Sequence, residues 1–279
     1  MKLILFTTKV DKGGQEIIKE ARKMSLACQI YFCEELFYKN GEIFNSNLNP
    51  LSIYQSDKII LRDPYNTNYD YSFFTKKILE KYYKNMLLDR ERYSGFPLCE
   101  DKLFQADLFM ELGITTPETF LGRNINRLLK FPVIVKPRIG SRGRGIRIYY
   151  KPKEMETFFA EKDPLGYIVQ KYHKAKSEYR ILILGHKVLG VVDKHIYLKE
   201  KGKIGVRVKG AVENIPGKIQ QDCIKITKKL KADFVGVDVI LADDGKYYFL
   251  EANLSPQFGK FAKTAKINVA NMIIKLSLA

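Results

Sequence analysis

The sequence has no long apolar run. Its longest apolar stretches, such as LILF near the start and ILIL further on, fall far short of the roughly 20 residues that a membrane-spanning helix needs. Because Met1 leads straight into a strand-like segment, we expect neither a signal peptide nor a membrane anchor. These absences predict a soluble protein of the cytoplasm, without a membrane partner.

Cysteine and histidine are also scarce. The four cysteines are scattered without a CxxC pair, and the three histidines have no cysteine nearby at the spacing of zinc ligands. Neither a disulfide framework nor a thiolate metal site is therefore indicated, which fits a reducing cytoplasm. The sequence also lacks internal repeats, low-complexity tracts and long linkers, so we expect compact units packed on one another.

Acidic residues are too few to balance the basic ones, since 31 Asp and Glu face 48 Lys and Arg and leave a net charge of +17. Three explanations stay open: a lysine-rich composition with solvated faces, attraction of an anionic small substrate or acidic peptide, and binding of nucleic acid. The segment KKILEKYYKN interleaves aromatics with lysines, but Phe74, Ile78, Tyr82 and Met86 recur at helical spacing. Such spacing favours a buried helix face, so nucleic acid is the least favoured partner.

The N-terminal part reads as a βαβ-like opening with a parallel sheet. Strand-like stretches occur in MKLILFT, CQIYFCEEL and KIILRDP, and a helix is predicted in KGGQEIIKEARKM, where Ile17, Ala21 and Met24 share one face. Gly13 and Gly14 fit either a nucleotide-binding loop or an ordinary strand-to-helix turn. A lone GG is weak support for the former.

The rest of the chain mixes helices with alternating strands. A helix is predicted in EDKLFQADLFMELG, where Glu100 or Asp101 can cap the start and Gly113 ends it. Alternating strands follow in VIVK, GIRIYY, YIVQKY, EYRILILGHKVLGVVDK and VGVDVILADDGKYYFLE. Two amphipathic helices are predicted, in GKIQQDCIKITKKL and in INVANMIIKLSL. The pattern predicts an α/β chain with α+β parts.

A glycine-rich cationic loop joins two of these strands in PVIVKPRIGSRGRGIRIYY. A P-loop needs GxxxxGK[ST] before a helix and a dinucleotide site needs GxGxxG before a helix, whereas this loop runs GxxGxG into a strand. Two interpretations remain. Either the loop is a hairpin whose N–H groups and arginines fold over phosphates, or it is a flexible basic hairpin without a ligand.

The hairpin GVDVILADDGKYYFLEAN brings two carboxylates together. If Asp244 and Gly245 form a two-residue turn, the register places Asp238 directly opposite Glu251. Opposed carboxylates repel unless a cation lies between them, and Asn253 projects from the same sheet face. These hard oxygen ligands suit magnesium, and the alternative is a wet sheet face with solvated acids.

Taken in order, several motifs resemble the ATP-grasp carboxylate–amine ligases, and most closely their RimK-type branch. They are DK before a helix, TTPET, VIVKP with GSRGRG, VQKY, EYR, and VDV with LEANLSP. The resemblance starts near Glu100, and KIILRDP more weakly resembles the domain that precedes it in that branch. It implies an ATP-grasp fold with an N-terminal pre-ATP-grasp α/β domain (1–98) and two α+β subdomains that clasp ATP (99–168 and 169–279).

The resemblance implies an ATP site. Two lysines would hold the phosphates, a glycine-rich flap would close over them, a hinge would meet the adenine through its backbone, and an acid would bind the ribose. The matching residues are Lys102 and Lys136 for the phosphates, Gly140, Ser141, Arg142, Gly143 and Gly145 for the flap, Gln170, Lys171 and Tyr172 for the hinge, and Glu178 for the ribose. A solvated lysine is the alternative for Lys102, and a plain buried strand is the alternative for the hinge.

The resemblance also implies magnesium on Asp238, Glu251 and Asn253, with two ions expected and Mn²⁺ as a substitute. Arg180 matches a residue that contacts phosphate or acceptor, with a surface salt bridge between strands as the alternative. RimK-type enzymes usually carry an arginine and an asparagine ahead of a glycine pair, and the loop KGKIGVRVKGAVEN has only the single Gly210 in place of the pair, with no asparagine ahead of it. Within it Arg207 is the best candidate for stabilising the acylphosphate, with acceptor recognition and solvation as alternatives.

The implied reaction transfers the γ-phosphoryl group of ATP to a carboxylate, after which an amine attacks the acylphosphate and forms an amide. It needs positioning and charge neutralisation but no side-chain nucleophile, and the sequence shows no Ser-His-Asp or Cys-His pattern. Expected substrates are small-molecule or peptide carboxylates and amines of anionic character, with an acidic amino acid among the candidates. Homo-oligomers are common in the family. The competing hypothesis is a nucleotide- or polyanion-binding module without ligase activity.

Overall fold

The computed structural model describes residues 1–62, 77, 79–81, 100–122, 125–140, 143–198 and 204–279. Its helices are α1 (Lys12–Lys23), α2 (Lys102–Glu111), α3 (Pro152–Ala160), α4 (Gly217–Lys229), α5 (Gly259–Ala265) and α6 (Val269–Leu278). Its strands are β1 (Leu3–Thr7), β2 (Cys28–Phe32), β3 (Phe37–Lys39), β4 (Glu42–Phe44), β5 (Lys58–Leu61), β6 (Thr119–Phe120), β7 (Val133–Pro137), β8 (Arg147–Tyr149), β9 (Tyr167–Lys171), β10 (Ala175–Leu184), β11 (Lys187–Leu198), β12 (Ile204–Ala211), β13 (Phe234–Ala242) and β14 (Tyr247–Asn253). Within the described ranges, no helix has the length and apolar character to cross a bilayer.

The N-terminal part is a three-stranded parallel sheet in the order β2-β1-β5, with α1 packed on one face. Helix α1 buries Ile17 and Ala21 completely, as their spacing predicts. Its start is capped by Asp11, whose carboxylate accepts hydrogen bonds from the amides of Gly13 and Gly14. The GG pair therefore belongs to a capped strand-to-helix turn.

The central part is a four-stranded antiparallel sheet in the order β6-β9-β7-β8. Helix α3 packs beside it and buries Met155 against Val133, Val135 and Val169. Strand β9 lies between β6 and β7, so the domain boundary placed between residues 168 and 169 divides a strand of this sheet. The division of the chain into domains stays a prediction.

Helix α2 precedes this sheet and starts as the sequence predicts. Asp101 is the N-cap, and its side chain accepts a hydrogen bond from the amide of Leu103 at 2.8 Å. Gly113 follows the helix with a φ of +68°, a left-handed conformation that favours glycine. The buried side chain of Leu108 lies in the same apolar cluster as Phe249 of β14.

The C-terminal part is a five-stranded antiparallel sheet in the order β12-β11-β10-β13-β14. One face packs against α4 and α2 through residues such as Ile181 and Val237, and the other face packs against α5 and α6 through residues such as Leu182 and Val192. Successive strand residues point to opposite faces, so Arg180 shares the face of Leu182. Beyond the apolar cover of α5 and α6, this second face carries the charged side chains of the candidate site.

Candidate active site

Four charged side chains interlock on one face of the five-stranded sheet. Arg180 donates two hydrogen bonds to Asp238, from Nε to Oδ1 at 2.8 Å and from Nη2 to Oδ2 at 2.6 Å. Lys194 Nζ donates to the same Oδ2 at 2.8 Å and forms an ion pair with Glu178. Asp238, Lys194 and Glu178 are buried. The alternation of cations and carboxylates compensates the charges where water has little access.

These neighbours set the protonation of the cluster. Burial opposes the ionisation of Asp238, but the charges of Arg180 and Lys194 lower its pKa to about 2. Burial also opposes the charge of Lys194, but Asp238 and Glu178 together outweigh it, and the pKa of Lys194 is raised. Burial raises the pKa of Glu178, and the charge of Lys194 counteracts this rise. Asp238 is therefore an anion at neutral pH.

Asp238 and Glu251 lie directly opposite each other in β13 and β14, as predicted. The predicted two-residue turn is wrong, because Ala242 and Lys246 close a three-residue loop over residues 243–245 with an amide-to-carbonyl hydrogen bond of 2.9 Å. An irregularity in the ladder next to Asp238 adds one residue to β14 and restores the predicted pairing. Two departures from a regular hairpin thus cancel at the carboxylate pair.

Two lysines of the central part face this cluster. Lys102, the first residue of α2, donates from Nζ to the carbonyl oxygen of Gly140 at 2.9 Å and lies 3.6 Å from Oε2 of Glu251. Lys136 in β7 is buried, and burial lowers its pKa to about 8 although Glu251 acts in the opposite direction. Its charge also interacts with those of Lys102, Glu178 and Asp238. The structure thus brings both predicted phosphate-binding lysines to the acidic face of the sheet.

The predicted flap joins β7 to β8. Gly143 and Gly145 have φ angles of +67° and +74°, which favour glycine. A Cβ at Gly145 would lie only 2.9 Å from Cγ of Pro137, so this turn approaches β7 closely. Two residues of the predicted flap lie outside the described ranges, namely Ser141 and Arg142.

The predicted hinge lies at the end of β9. Gln170 is buried and shares a sheet face with Lys136, because Ile168, two residues before it, pairs with Lys136. Gln170 Nε2 donates to Thr119 Oγ1 at 2.8 Å, and its Oε1 has no hydrogen-bond partner within the described part of the chain. The next residue, Lys171, is exposed, and Tyr172 is half-buried. Of the hinge side chains, only that of Gln170 is buried on the face that carries Lys136.

Arg207, the predicted candidate for stabilising the acylphosphate, lies outside the charged cluster, and its role stays a prediction. Arg207 in β12 lies opposite His195 in β11, and the next residue, Val208, lies opposite Lys194. Since alternate residues point to opposite faces, Arg207 lies on the sheet face away from Lys194 and is exposed. Arg207 is therefore not part of the charged cluster, whereas Arg180 is.

Lys194 belongs to the charged cluster, although the sequence did not predict it. A regular ladder from the turn at the end of β10 would pair Glu178 with Asp193. An irregularity between Leu182 and Ile183 shifts the pairing by one residue, so that Lys194 lies opposite Glu178. The only signal in the sequence was that a lysine occurs in the strand that follows EYR. The turn between the two strands could not by itself give the residue that pairs with Lys194.

The predicted metal ligands can supply part of the coordination of a hard divalent cation. Within the described residues, no group of three or more His, Cys, Asp or Glu side chains is arranged to hold a metal ion. Glu251 is 32% exposed, and Asn253 Oδ1 accepts the amide of Ser255 at 2.9 Å. Asp238 Oδ2 accepts two hydrogen bonds while its Oδ1 accepts one from Arg180, which leaves Oδ1 a free lone pair. The set fits an ion that takes its remaining ligands from phosphate and water.

Comparisons with known proteins identify the family to which the chain belongs. Residues 99–276 match the RimK-like ATP-grasp domain. The chain is 27% identical over 191 residues to the glutamate–LysW ligase ArgX of Sulfolobus acidocaldarius, covering 63% of this chain and 68% of that one. It is 23% identical over 274 residues to the alpha-aminoadipate–LysW ligase LysX of Sulfurisphaera tokodaii, covering 94% and 92%.

The fold matches a solved structure of the ATP-grasp ligase PsnB complexed with a phosphomimetic variant of its minimal precursor, Mg and ADP. The TM-score is 0.72 at 15% identity, and the match covers 100% of this chain and 98% of that chain. The predicted ATP-grasp fold and ligase class are confirmed. The chain belongs to the RimK-like ATP-grasp family of ATP-dependent carbon–nitrogen ligases.

Proposed function

We propose that the chain uses ATP to activate a carboxylate as an acylphosphate and joins it to the amino group of an acidic amino acid or a peptide. The observation that carries the proposal is the convergence of Lys102 and Lys136 from one part of the chain with Glu251 and Asp238 from another. Such a cleft suits a phosphate chain held between cations on one side and a metal-binding strand on the other.

The two lysines would neutralise the phosphates and align the γ-phosphoryl group with the attacking carboxylate. Lys136 has a pKa of about 8 without nucleotide, and a phosphate beside it would favour its charged form. The loop around Gly143 and Gly145 would close over the phosphates and keep water away from the acylphosphate. Gln170 would lie at the adenine and Glu178 at the ribose, as the family resemblance implies.

Magnesium, when bound, would offset the negative charge of the phosphates. Glu251, Asn253 and Oδ1 of Asp238 are the groups that would hold it. Arg180 and Lys194 would keep Asp238 ionised and fix its orientation. This is a supporting role for Arg180, whereas the family resemblance implies a direct contact with phosphate or acceptor. Two ions, and Mn²⁺ as a substitute, stay predictions.

An anionic substrate is favoured by two observations. The net charge of +17 attracts acidic molecules, and two of the relatives are named as ligases for glutamate and for alpha-aminoadipate. The same relatives are named for LysW, which favours a protein or peptide as the second substrate. We place the reaction in the cytoplasm, and homo-oligomer formation stays a prediction.

The experiment is a panel of amino acids and carboxylic acids in which ADP release and amide product are measured together. We expect turnover only when both a carboxylate and an amine are present, and loss of turnover in Glu251→Gln. The matched control is Glu213→Gln, because Glu213 is exposed and lies outside the charged cluster. Nucleotide binding without turnover of any pair would instead support the binding module.

A further inference from the structure

A second buried polar cluster joins the N-terminal sheet to the C-terminal part of the chain. Asp11 is fully buried and Arg62 is 2% exposed. Arg62 donates from Nε to Oδ2 and from Nη2 to Oδ1 of Asp11, each at 3.3 Å. Gln257 Nε2 donates to Asp11 Oδ1 at 2.6 Å, and the hydroxyl of Thr7 donates to Oδ2 at 2.9 Å. The Asp11 carboxylate is thus the centre of the cluster.

This cluster holds residues 254–258, which we name the tether segment. Arg62 Nη2 donates to the carbonyl oxygen of Pro256 at 3.1 Å, and Gln257 Oε1 accepts the amide of Gly13 at 3.1 Å. The guanidinium carbon of Arg62 lies 5.5 Å from the ring centre of Phe258, which is itself buried. Three consecutive residues of the tether segment are therefore bound by the N-terminal part.

The tether segment follows Asn253 immediately. Asn253 Oδ1 accepts the amide of Ser255 at 2.9 Å, and Asn253 pairs with Gly236 in β13. A Cβ at Gly236 would lie 2.8 Å from Cβ of Pro256, so the segment packs against the strand without spare room. A shift of Pro256 would consequently move Asn253 or the turn at Ser255.

A buried ion pair such as that of Arg62 with Asp11 is weak evidence for a stabilising role. A buried ion pair replaced by apolar side chains of similar volume often leaves a protein equally stable or more stable. Arg62 Nη1, moreover, is buried without a hydrogen-bond partner in the part of the chain that the structure describes. The cluster is better suited to fixing one geometry than to adding stability.

We propose that Arg62 and Gln257 are positioning residues, through which the N-terminal part fixes the tether segment and thereby the place of Asn253 in the metal–nucleotide site. This inference rests on the proposed role of Asn253. It makes the N-terminal sheet a structural support of the metal-binding strand, in addition to any contact with substrate.

The test measures ADP binding by calorimetry over a series of Mg²⁺ concentrations in the full-length chain. In Arg62→Met and Gln257→Ala we expect the half-saturating Mg²⁺ concentration to rise about 10-fold, since loss of residues that orient metal ligands costs 10–100-fold in affinity. Arg62→Lys should recover part of the loss, because an ammonium can still reach one acceptor. Amide hydrogen exchange over residues 252–258 should accelerate in the same variants.

The matched control is Asp57→Ala. Asp57 is 2% exposed and accepts the amides of Lys2 and Tyr54, so its loss weakens the N-terminal part at a site where its side chain binds no residue of the tether segment. An unchanged Mg²⁺ dependence in Gln257→Ala, or an equal rise in Asp57→Ala, overturns the proposal. The calorimetric test measures binding and does not need turnover. A wild-type protein that binds Mg²⁺ and ADP but forms no amide would contradict the proposed function, and the test of the positioning residues would still be valid.

Discussion

Lys102 Nζ lies 3.6 Å from Oε2 of Glu251, which links the first turn of α2 to β14. One turn further along α2, Gln105 forms two hydrogen bonds with the backbone of Ala252. Gln105 Nε2 donates to the carbonyl oxygen of Ala252 at 2.8 Å, and the amide of Ala252 donates to Gln105 Oε1 at 3.0 Å. The helix is thereby held in register with the strand. A phosphate-binding lysine and a metal-binding acid on these elements would keep a constant separation.

Lys102→Met should raise the KM for ATP by roughly 10- to 100-fold, because a charge-assisted hydrogen bond to phosphate contributes about 1.5–3 kcal/mol. The fold should stay intact, since Gln105 still binds Ala252. Lys153→Met on α3 is the control, as Lys153 is exposed and lies outside the site. The measurement is the KM for ATP from steady-state kinetics. Equal KM values for the two variants would show that Lys102 does not bind ATP.

Lys136→Met should stabilise the nucleotide-free protein at pH 7 by about 1–3 kcal/mol while weakening ATP binding. Burial lowers the folded-state pKa of Lys136 from 10.5 to about 8, so at pH 7 the wild-type protein carries a costly buried charge. The unfolded chain retains this proton up to pH 10.5, so the contribution of Lys136 to stability should rise between pH 8 and 10.5. Urea unfolding across this range should show that rise in the wild type and not in the variant. A variant less stable than the wild type at pH 7 contradicts this account.

Asp238→Asn should lower the free energy of unfolding by about 3–5 kcal/mol, because Arg180 and Lys194 would lose the anion between them. With a pKa of about 2 against 3.8 in the unfolded chain, Asp238 stabilises the fold above pH 3.8, and this contribution is lost as the pH falls towards 2. Thermal unfolding between pH 2 and 7 measures both effects. A variant as stable as the wild type would show that the two cations do not depend on Asp238.

Gly145→Ala should raise the KM for ATP or lower kcat by roughly 10-fold, because it strains the flap by about 1–3 kcal/mol. The added Cβ meets Pro137 at 2.9 Å, and the φ of +74° is unfavourable for alanine. Gly217→Ala serves as the comparison, since its Cβ would have no atom within 4 Å and its φ is not positive. Unchanged kinetics in Gly145→Ala would argue against a role of this loop in closing over ATP.

The short-range features of the site could be predicted from neighbouring residues, whereas the convergence of the two lysines with the carboxylates was implied only by the family resemblance. The role of Asp101 as a helix cap depends on its neighbours in the sequence, so it could be predicted. The pairing of Asp238 with Glu251 was predicted correctly only because a longer loop and a ladder irregularity compensate each other. Lys194 was missed for the opposite reason, since the irregularity between β10 and β11 changed the register without compensation.

The link between Arg62 and Asp11 shows the second limit of sequence reasoning. These residues are 51 positions apart, and Arg62 binds Pro256 across 194 positions. No periodicity or local motif connects them, because the contact arises only when the N-terminal sheet packs beside the C-terminal one. An arginine at the end of an apolar strand gave no indication that it would be buried.

The most direct test of the central claim is the transfer of labelled oxygen from the carboxylate substrate to phosphate. If the chain forms an acylphosphate, one carboxylate oxygen stays on phosphorus when the amine displaces phosphate, so the released phosphate must carry the label. We expect labelled phosphate and amide in equal amounts in the wild type, and neither in Glu251→Gln. Release of ADP and unlabelled phosphate, with all the label retained in the carboxylate, would contradict it.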